Sequence, residues 1–397
     1  MKVLFVCPFF PWPLNSGGKI RTFNLIKSLG RDVEIHLRAI TEPGTDREGI
    51  AKLSGTCAGI KLFDRVRPGR VMRWSRPKLE RWFYSPALRQ ALAKDLRDDY
   101  FDIVHLDELL LARTLPSAPG IPVIQHHHKL DTVLYDDLSG HKGLHRHFDL
   151  WKLHRLESEA ARRYPHHVVC GENDAHILGK RYEGLNFGVV PSGIDPDFFK
   201  PRVPAAPRTR HRILYLGTLS YGPNIDAVRH FVAKVLPGLR ERFGDLEFDL
   251  VGGGATREVL ELHGQGVNVI GGVPDVRPYL EGAALMVVPL RIGGGTRLKI
   301  VEALAMGCPV VSSAIGAEGL GLEDGVHLRI TESETDLEAA VVEMLEKPEE
   351  ALVMAERGQA YVREHFTWEV LSHRLLDFWK SVHEQSRSHA PASSDPT

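Results

Sequence analysis

Short apolar runs alternate with longer amphipathic stretches along this chain, and this alternation constrains its fold more than any other feature. The apolar runs are too apolar for a sheet with one wet face, so they are typical of strands that are buried on both faces. Because such strands alternate with helices, we predict an α/β fold of doubly wound, Rossmann-like parallel layers. The predicted strands are 3–6, 33–37, 103–106, 123–125, 168–170, 188–190, 213–216, 248–251, 267–270, 285–288 and 310–312, and the predicted helices include 20–29, 87–98, 149–164, 225–243 and 298–306.

The strand–helix pattern restarts after a proline-rich basic stretch at 200–212. A stretch of this composition is typical of a linker between domains. We therefore predict a first Rossmann-like domain at 1–203 and a second at 204–365. A last helix is predicted at 366–385, and the polar end at 386–397 is expected to be disordered.

Composition and charge exclude several classes of protein. The formal net charge is −1 over 397 residues, so a bulk electrostatic case for nucleic acid is absent. No apolar stretch approaches the roughly 20 residues needed to span a membrane, and the apolar start is too short for a signal peptide. The four cysteines are isolated and form no CxxC pair, so we predict neither a zinc site nor a disulfide framework and expect a cytoplasmic protein.

Histidine is unusually frequent, with 20 residues, and clusters at 126–128, 141–147 and 166–167. Imidazole is a common metal ligand. However, the chain has no pair of histidines with an acid on one helix, as zinc proteases have. We predict no metal site.

The segment 289–302 combines a glycine loop, a helix start, cations and a carboxylate. Its glycines let backbone N–H groups approach phosphate oxygens, and Thr296 can cap a helix whose first N–H groups favour an anion. Lys299 and Glu302 share one helix face, so the cation can lie near a diphosphate and the carboxylate near ribose hydroxyls. The alternative is an ordinary strand–loop–helix turn with a surface Lys–Glu pair.

Two places in the first predicted domain are candidates for substrate contact. The glycine turn at 13–21 follows the first strand and opens the first helix, where an anion is favoured. The histidines at 126–128 end another predicted strand and could bond a sugar hydroxyl or a phosphate. The alternatives are a flexible turn and a structural histidine.

Two more glycine turns follow predicted strands of the second domain, at 249–254 and 271–276. The first is not a dinucleotide fingerprint, because Arg257 stands where the third glycine would be. The second could read a base through its backbone groups. Its alternative is a proline turn in which Asp275 caps a helix at 276–281.

The stretch 61–89 carries nine Lys and Arg residues with Trp74, Trp82, Phe83 and Tyr84 among them. A basic and aromatic surface suits an anionic membrane or a lipid-linked acceptor. A solvated face with a few packed aromatics is the alternative.

Taken together, these pieces resemble glycosyltransferase family 4, closest to the branch that builds exopolysaccharides and other cell-envelope glycans. The resemblance covers the chain from end to end, and the order and spacing of its motifs are specific. The matching motifs are Gly17-Gly18-Lys19-Ile20-Arg21, His128-Lys129-Leu130-Asp131, Val190-Pro191-Ser192-Gly193-Ile194-Asp195, Leu216-Gly217-Thr218-Leu219, Gly272-Val273-Pro274-Asp275-Val276, Gly294-Gly295-Thr296-Arg297-Leu298-Lys299-Ile300-Val301-Glu302-Ala303 and Met306-Gly307-Cys308-Pro309-Val310-Val311.

The resemblance implies the GT-B fold, with two facing Rossmann-like domains, a central cleft and a C-terminal helix that packs back on the first domain. It implies three catalytic residues, His128, Arg297 and Lys299, with His128 at the transferred sugar and the two cations at the diphosphate. Glu302 would bind the ribose. The other implied donor-site residues are Gly217, Thr218, Val273, Asp275, Val276, Gly294, Gly295 and Thr296, and the implied acceptor and phosphate loop contains Gly17, Gly18, Lys19 and Arg21.

The chain departs from the family pattern in two places. The family often has two glutamates separated by seven residues, but the position eight before Glu302 is Gly294. The Arg and Lys that often follow the first strand of the second domain are also missing from 217–224. We therefore expect Arg297 and Lys299 to neutralise the leaving diphosphate.

The resemblance implies a retaining glycosyltransferase that uses no cofactor and takes a UDP- or GDP-linked sugar to a glycan or lipid-linked acceptor. Its expected place is the cytoplasm, with peripheral contact to the inner face of the membrane through 61–89 and no nucleic-acid partner. Two alternatives remain open: a sugar-nucleotide epimerase or hydrolase of the same fold, and a non-catalytic sugar-nucleotide-binding module.

Overall fold

The structure, a computed structural model, describes residues 1–41, 47–98, 100–116, 120–137, 144–202, 208–293 and 297–388. The chain divides into one unit of Met1–Pro191 with Trp368–Thr397 and a second unit of Ser192–Thr367. The division falls at 191/192 and not at the predicted 203/204. The reason is that Ile194 already belongs to the second unit, where its N–H donates to the carbonyl of Phe366 at 2.7 Å and it forms a β-bridge with Thr367.

The first unit is built on a parallel seven-stranded sheet. Its strands are β1 (Lys2–Cys7), β2 (Glu34–Thr41), β3 (Gly59–Asp64), β4 (Ile103–Asp107), β5 (Val123–His126), β6 (His166–Val169) and β7 (Asn186–Val189), in the spatial order β3-β2-β1-β4-β5-β6-β7. Successive residues of β1 fill opposite faces: Phe5 and Cys7 lie in one core, and Leu4 and Val6 in the other. Both faces are therefore buried, as expected for a parallel sheet.

Helices connect these strands. They are α1 (Gly17–Leu29), α2 (Arg47–Ser54), α3 (Arg70–Ser75), α4 (Lys78–Trp82), α5 (Pro86–Asp98), α6 (Asp131–Asp137), α7 (Leu144–Arg163) and α8 (Glu172–Arg181), with a 3-10 turn at Leu109–Leu111. At the start of α1, Ser16 has an extended backbone and makes no side-chain cap, and the first turn carries no acidic residue. The first turn of α1 is thus capped by neither a hydroxyl nor a carboxylate of its own.

The second unit has a parallel six-stranded sheet. Its strands are β8 (Thr209–Leu216), β9 (Glu247–Val251), β10 (Val267–Gly271), β11 (Ala283–Val288), β12 (Val310–Ser313) and β13 (Arg329–Thr331), in the order β10-β9-β8-β11-β12-β13. Its helices are α9 (Gly222–Lys234), α10 (Leu236–Arg242), α11 (Arg257–Leu260), α12 (Arg277–Gly282), α13 (Leu298–Ala305), α14 (Ala314–Ala317), α15 (Glu334–Glu346) and α16 (Pro348–His365). Because β8 lies beside both β9 and β11, the chain reverses its direction of travel across the sheet at β8.

The last helix, α17 (Trp368–Ser388), is part of the first unit. It packs beside α1 and buries Leu371, Leu375 and Trp379 in the same core as Phe5. The predicted disordered end overlaps this helix at 386–388, and the rest of that prediction lies outside the described residues.

The predicted α/β fold class is confirmed, and each predicted strand overlaps an observed one. Two sheet-edge strands, β3 and β13, were not predicted, because an edge strand has one open side and these two show no continuous buried run. The single helix predicted at 225–243 is wrong: it breaks at Val235 into α9 and α10. Pro237 lies in the first turn of α10, where its missing N–H costs no helical hydrogen bond.

No helix within the described ranges is both long enough and apolar enough to cross a membrane.

Candidate functional site

In the second unit, a glycine turn follows each of the strands β8, β9 and β10. These turns lie at the edge of the sheet formed by the carboxyl ends of its strands. The N–H of Gly217 donates to Val251 at 3.0 Å, and the N–H of Gly252 donates to Gly271 at 2.8 Å. A Cβ atom on Gly252 would lie 1.8 Å from the carbonyl oxygen of Gly217, so only glycine permits this backbone approach. Ligands of open α/β sheets bind at this carboxyl edge.

Lys299, in the first turn of α13, directs its ammonium group to the same edge. Its Nζ donates to the Tyr215 hydroxyl at 2.9 Å and to Oδ1 of Asn224 at 3.0 Å. The Tyr215 hydroxyl in turn donates to Asn224 Oδ1 at 2.7 Å. A Cβ on Gly217 would lie 2.8 Å from Nζ, so the ammonium group sits directly against the glycine turn.

The side-chain amide of Asn224 also contacts the turn that follows β8. Its Nδ2 donates to the carbonyl of Thr218 at 2.9 Å. The structure thus brings together three residues of the predicted donor site, Gly217, Thr218 and Lys299, through an asparagine at the start of α9.

The pKa values of Lys299 and Glu302 are both strongly shifted. Burial, followed by the neighbouring Arg297 cation, lowers the pKa of Lys299 to about 7, against the opposing effect of Glu302. Burial raises the pKa of Glu302 to about 7, against the opposing effect of Lys299. Both groups therefore titrate near neutral pH, where a bound anion or hydroxyl can shift their protonation.

Arg297 occupies the N-cap position of α13 and is buried. Its guanidinium donates to the carbonyl of Ile315 at 3.3 Å. The cap position therefore belongs to Arg297 and not to Thr296 as predicted. Gly294, Gly295 and Thr296 lie outside the described residues, and the contacts predicted for them stay predictions.

The loop after β10 contains the predicted base-binding residues. Asp275 accepts from the backbone N–H of Arg277 at 3.0 Å and from its guanidinium Nε at 2.9 Å, and the hydrogen bonds from Arg277 lower the pKa of Asp275. Its carboxylate thus holds the start of α12, which begins at Arg277 and not at 276. Val273 and Val276 pack against the core of the unit. Base contact through the backbone of this loop stays a prediction.

In the first unit, His128 lies between two carboxylates. Its Nε2 is 2.7 Å from Oδ1 of Asp107, at the end of β4, and its Nδ1 is 3.4 Å from Oε1 of Glu108. Burial opposes the charged imidazole, but Asp107 and Glu108 outweigh it and raise the pKa of His128. A Cβ on Gly18 would lie 3.4 Å from Nδ1, so the start of α1 and His128 are adjacent.

Asp107 is the centre of a buried polar network. Its Oδ2 accepts from the Thr22 hydroxyl at 2.6 Å, and its Oδ1 lies near His126 and His128. Burial alone would raise the pKa of Asp107, but these histidines hold it well below its usual range. An ionised Asp107 thus orients His128 with Nε2 as the protonated nitrogen.

The structure does not place Arg21 in a phosphate-binding turn. Its side chain is buried, 2.9 Å from Nε2 of His126, and also donates to the carbonyl of Val190. The residue lies on the inward face of α1, so its guanidinium contacts buried groups of the unit. Gly17 is exposed and Lys19 is half-buried at the start of the same helix, and their phosphate contacts stay predictions.

His105, Asp107 and His126 carry ligand-type atoms within 4.8 Å of one another. The far nitrogens of the two rings, however, face donors: Trp379 Nε1 donates to His105 Nδ1 at 3.2 Å, and Arg21 faces His126. A metal-bound imidazole needs an acceptor at its far nitrogen. These residues are therefore arranged as a hydrogen-bonded network and are poorly suited to hold a metal.

Two α/β units with parallel sheets match the architecture of GT-B glycosyltransferases of known structure. The chain belongs to the family 4 glycosyltransferases: residues 15–198 match the family described as Glycosyltransferase Family 4, and residues 210–347 match Glycosyl transferases group 1. It is thus an enzyme that transfers sugars.

Two relatives agree with this assignment, and a solved structure agrees with the fold. The chain is 26% identical over 393 residues to the MMP alpha-(1->4)-mannosyltransferase of Mycolicibacterium hassiacum, covering 90% of this chain and 92% of the relative. It is 25% identical over 326 residues to the phosphatidyl-myo-inositol mannosyltransferase of Mycobacterium leprae, covering 75% and 78%. The Anabaena HepE structure with UDP and glucose superposes with a TM-score of 0.68 at 16% identity, over 96% of this chain and 100% of that one.

Four residues of these sites were not found by sequence reasoning. Tyr215 and Asn224 are strand and helix residues whose side chains meet Lys299 only in the folded unit. Asp107 ends β4 and Glu108 follows it directly, so two acids at the end of an apolar strand were the sequence signal that could have identified them.

Proposed function

We propose that the protein is a retaining glycosyltransferase that moves a sugar from a nucleoside-diphosphate donor to a glycan or lipid-linked acceptor. The observation that carries the proposal is the Lys299 ammonium, fixed by Tyr215 and Asn224 beside Gly217. With Arg297 at the N-cap of the same helix, it provides two cations at the edge of the sheet where a diphosphate is expected.

In the proposed reaction, the bond between the anomeric carbon and the diphosphate breaks, and a bond to the acceptor oxygen forms on the same face of the sugar. The departing diphosphate takes the acceptor proton. Charge develops on the leaving phosphate, and Lys299, Arg297 and the N–H groups of α13 stabilise it. Catalysis then rests on charge stabilisation and positioning, with no metal in the proposed role.

Glu302 is the proposed ribose-binding residue. It lies one turn after Lys299 on α13, and its carboxylate is close enough to Lys299 to affect its pKa. A carboxylate accepts hydrogen bonds from both hydroxyls of a ribose, so the two residues fit the two ends of one nucleoside diphosphate.

For the donor, we propose a GDP- or UDP-linked hexose, with GDP-mannose the first to test. The relatives above are named mannosyltransferases, and a further one, from Mycolicibacterium smegmatis, is named GDP-mannose-dependent. HepE is the neighbour seen with UDP and glucose, but at 16% identity it supports the fold alone.

For the acceptor side, we propose contact with an anionic lipid surface through an aromatic-basic patch. It combines Trp74 and Trp82 with Phe148 and Trp151 of α7, all of which are exposed. The rings of Trp74 and Phe148 are 6.1 Å apart, and the exposed Arg65 guanidinium lies over the Trp82 ring at 4.8 Å. Exposed aromatics beside cations favour the headgroup region of an anionic membrane.

A thermal-shift screen with UDP, GDP, ADP, CMP and dTDP tests the donor proposal. The correct nucleotide stabilises the folded state by mass action, and the others do not. Turnover with GDP-mannose or UDP-glucose and an acceptor is the second step. A changed sugar nucleotide without any acceptor would favour the epimerase or hydrolase, and binding without turnover would favour the binding module.

A further inference from the structure

Two neighbouring polar atoms of the first unit are buried and have no hydrogen-bond partner among the described residues. They are Nδ1 of His128 and Oε2 of Glu108. Their side chains are only 9% and 8% exposed, so water is largely excluded from both. Buried polar atoms of this kind are normally paired, and an unpaired one needs an explanation.

The two side chains do not satisfy each other. The distance from His128 Nδ1 to Glu108 Oε1 is 3.4 Å, too long for a good hydrogen bond between these groups. Oε2, the other oxygen of the same carboxylate, therefore keeps its full capacity to accept. Glu108 follows the end of β4 with a φ of 115°, and its N–H donates to the carbonyls of Leu106 and His126.

The chemistry of the two atoms is complementary. Because Nε2 of His128 donates to Asp107, the ring offers Nδ1 as a second donor when it is protonated, and the flanking carboxylates favour that state by raising the pKa of His128. Oε2 of Glu108 is an acceptor. A hydroxyl both accepts and donates, so one hydroxyl can satisfy both atoms. A phosphate would be repelled by Glu108, and a cation by His128.

The start of α1 lies directly beside Nδ1 of His128. Position 18 is a glycine, and a Cβ there would lie 3.4 Å from His128 Nδ1 and 3.2 Å from the ring of Phe9. A side chain at this position would therefore crowd the donor atom. Because glycine has no side chain, nothing at this position crowds Nδ1.

We propose that Glu108 is a hydroxyl-binding residue, and that its Oε2 and Nδ1 of His128 hold one sugar hydroxyl of a substrate. The inference rests on the proposed function and adds to it a specificity-determining residue. Both a donor sugar and an acceptor sugar supply this chemistry, and the experiment separates them.

The test compares wild type with Glu108→Ala and Glu108→Gln, using GDP-mannose, UDP-glucose and their monodeoxy analogues as donors. Methyl α-mannoside and its monodeoxy analogues serve as acceptor probes. In wild type, we expect loss of the bound hydroxyl to reduce kcat/KM about 10- to 100-fold, as for a hydrogen bond to a charged group. Glu108→Ala should turn over the full substrate with the same low kcat/KM that wild type shows for the deoxy analogue. With that deoxy analogue, the variant should show no further loss of kcat/KM.

Glu108→Gln keeps one acceptor oxygen and the side-chain shape. It should therefore have a wild-type melting temperature and retain part of the discrimination, meaning the ratio of kcat/KM for the full substrate to kcat/KM for its deoxy analogue. Glu183→Ala, which removes an exposed carboxylate of the same unit, is the matched control and should discriminate like wild type. If the effect follows the donor analogues, the hydroxyl belongs to the donor sugar; if it follows the acceptor analogues, it belongs to the acceptor.

GDP and UDP contain ribose but lack the hexose that is transferred. Their binding therefore separates this inference from the proposed function. Glu108→Ala should bind them as wild type does, because Lys299 and Glu302 lie in the second unit. If wild type binds neither nucleotide, the proposed function fails. If a nucleotide binds but Glu108→Ala and Glu108→Gln keep the wild-type discrimination with every analogue, the inference is overturned and Glu108 is a structural residue.

Discussion

The Nζ atom of Lys299 donates a hydrogen bond of 2.9 Å to the hydroxyl of Tyr215 and lies 4.2 Å from the centroid of the same ring. Tyr215 is fully buried in β8, so a core residue fixes a cation at the edge of the sheet. A charge that is already in place when substrate arrives needs little reorganisation during the reaction.

Lys299→Ala should lower kcat about 100- to 1,000-fold, because the developing charge on the diphosphate loses its nearest cation. Steady-state kinetics with the donor found in the nucleotide screen would measure the loss. Lys234→Ala, which removes an exposed cation at the end of α9, should leave kcat unchanged. Near wild-type turnover in Lys299→Ala would contradict the role given to this residue.

Binding of a nucleotide sugar should be strongest near pH 7. A diphosphate binds the protonated form of Lys299, whose pKa is lowered to about 7, so affinity should fall by up to about tenfold per pH unit above 7. Ribose binding needs ionised Glu302, whose pKa is raised to about 7, so affinity should also fall below pH 7. Calorimetric titration with GDP-mannose or UDP-glucose from pH 5.5 to 8.5 measures both limbs, since these donors carry no terminal phosphate that titrates in this range.

Two variants assign the limbs of this profile. Lys299→Ala should remove the fall above pH 7, and Glu302→Gln should remove the fall below it. A profile that keeps both limbs in both variants would show that other groups titrate.

Gly252→Ala should destabilise the second unit by at least about 2 kcal/mol, because the new Cβ would lie 1.8 Å from the carbonyl oxygen of Gly217. Gly253→Ala is the matched control: its Cβ would meet nothing within 4 Å, and its effect should stay within about 0.5 kcal/mol. Urea unfolding measures both changes. Equal stability of the two variants would mean that Gly252 is not tightly packed against the carbonyl of Gly217.

Trp74→Ser should weaken binding to phosphatidylglycerol vesicles about tenfold or more, since an aromatic anchor is lost from the patch. Vesicle co-sedimentation at low and high salt measures the loss, and binding should fall as salt rises. Tyr100→Ser removes another exposed aromatic of the same unit and should bind like wild type. If wild type ignores anionic vesicles, or if both variants bind equally, the lipid contact is wrong.

The fold was largely predictable because buried parallel strands are written as continuous apolar runs. Val3 to Val6 illustrates this: all four residues are fully buried, on two faces of one sheet. The edge strand β3 escaped prediction because none of its six residues is fully buried. Pro237 is visible in the sequence, but only the structure shows that it starts a new helix.

The sequence by itself determined the two α/β units, the glycine turns at their strand ends, and Lys299 and Glu302 on one face of a helix. These are local properties, set by periodicity and by residue spacing. Only the tertiary structure decided which partners these residues have. It turned Arg21 inward toward His126, joined Lys299 to Tyr215 across 84 positions, and placed Glu108 beside His128. Such contacts depend on how separate strands and helices pack, and spacing along the chain does not encode them directly.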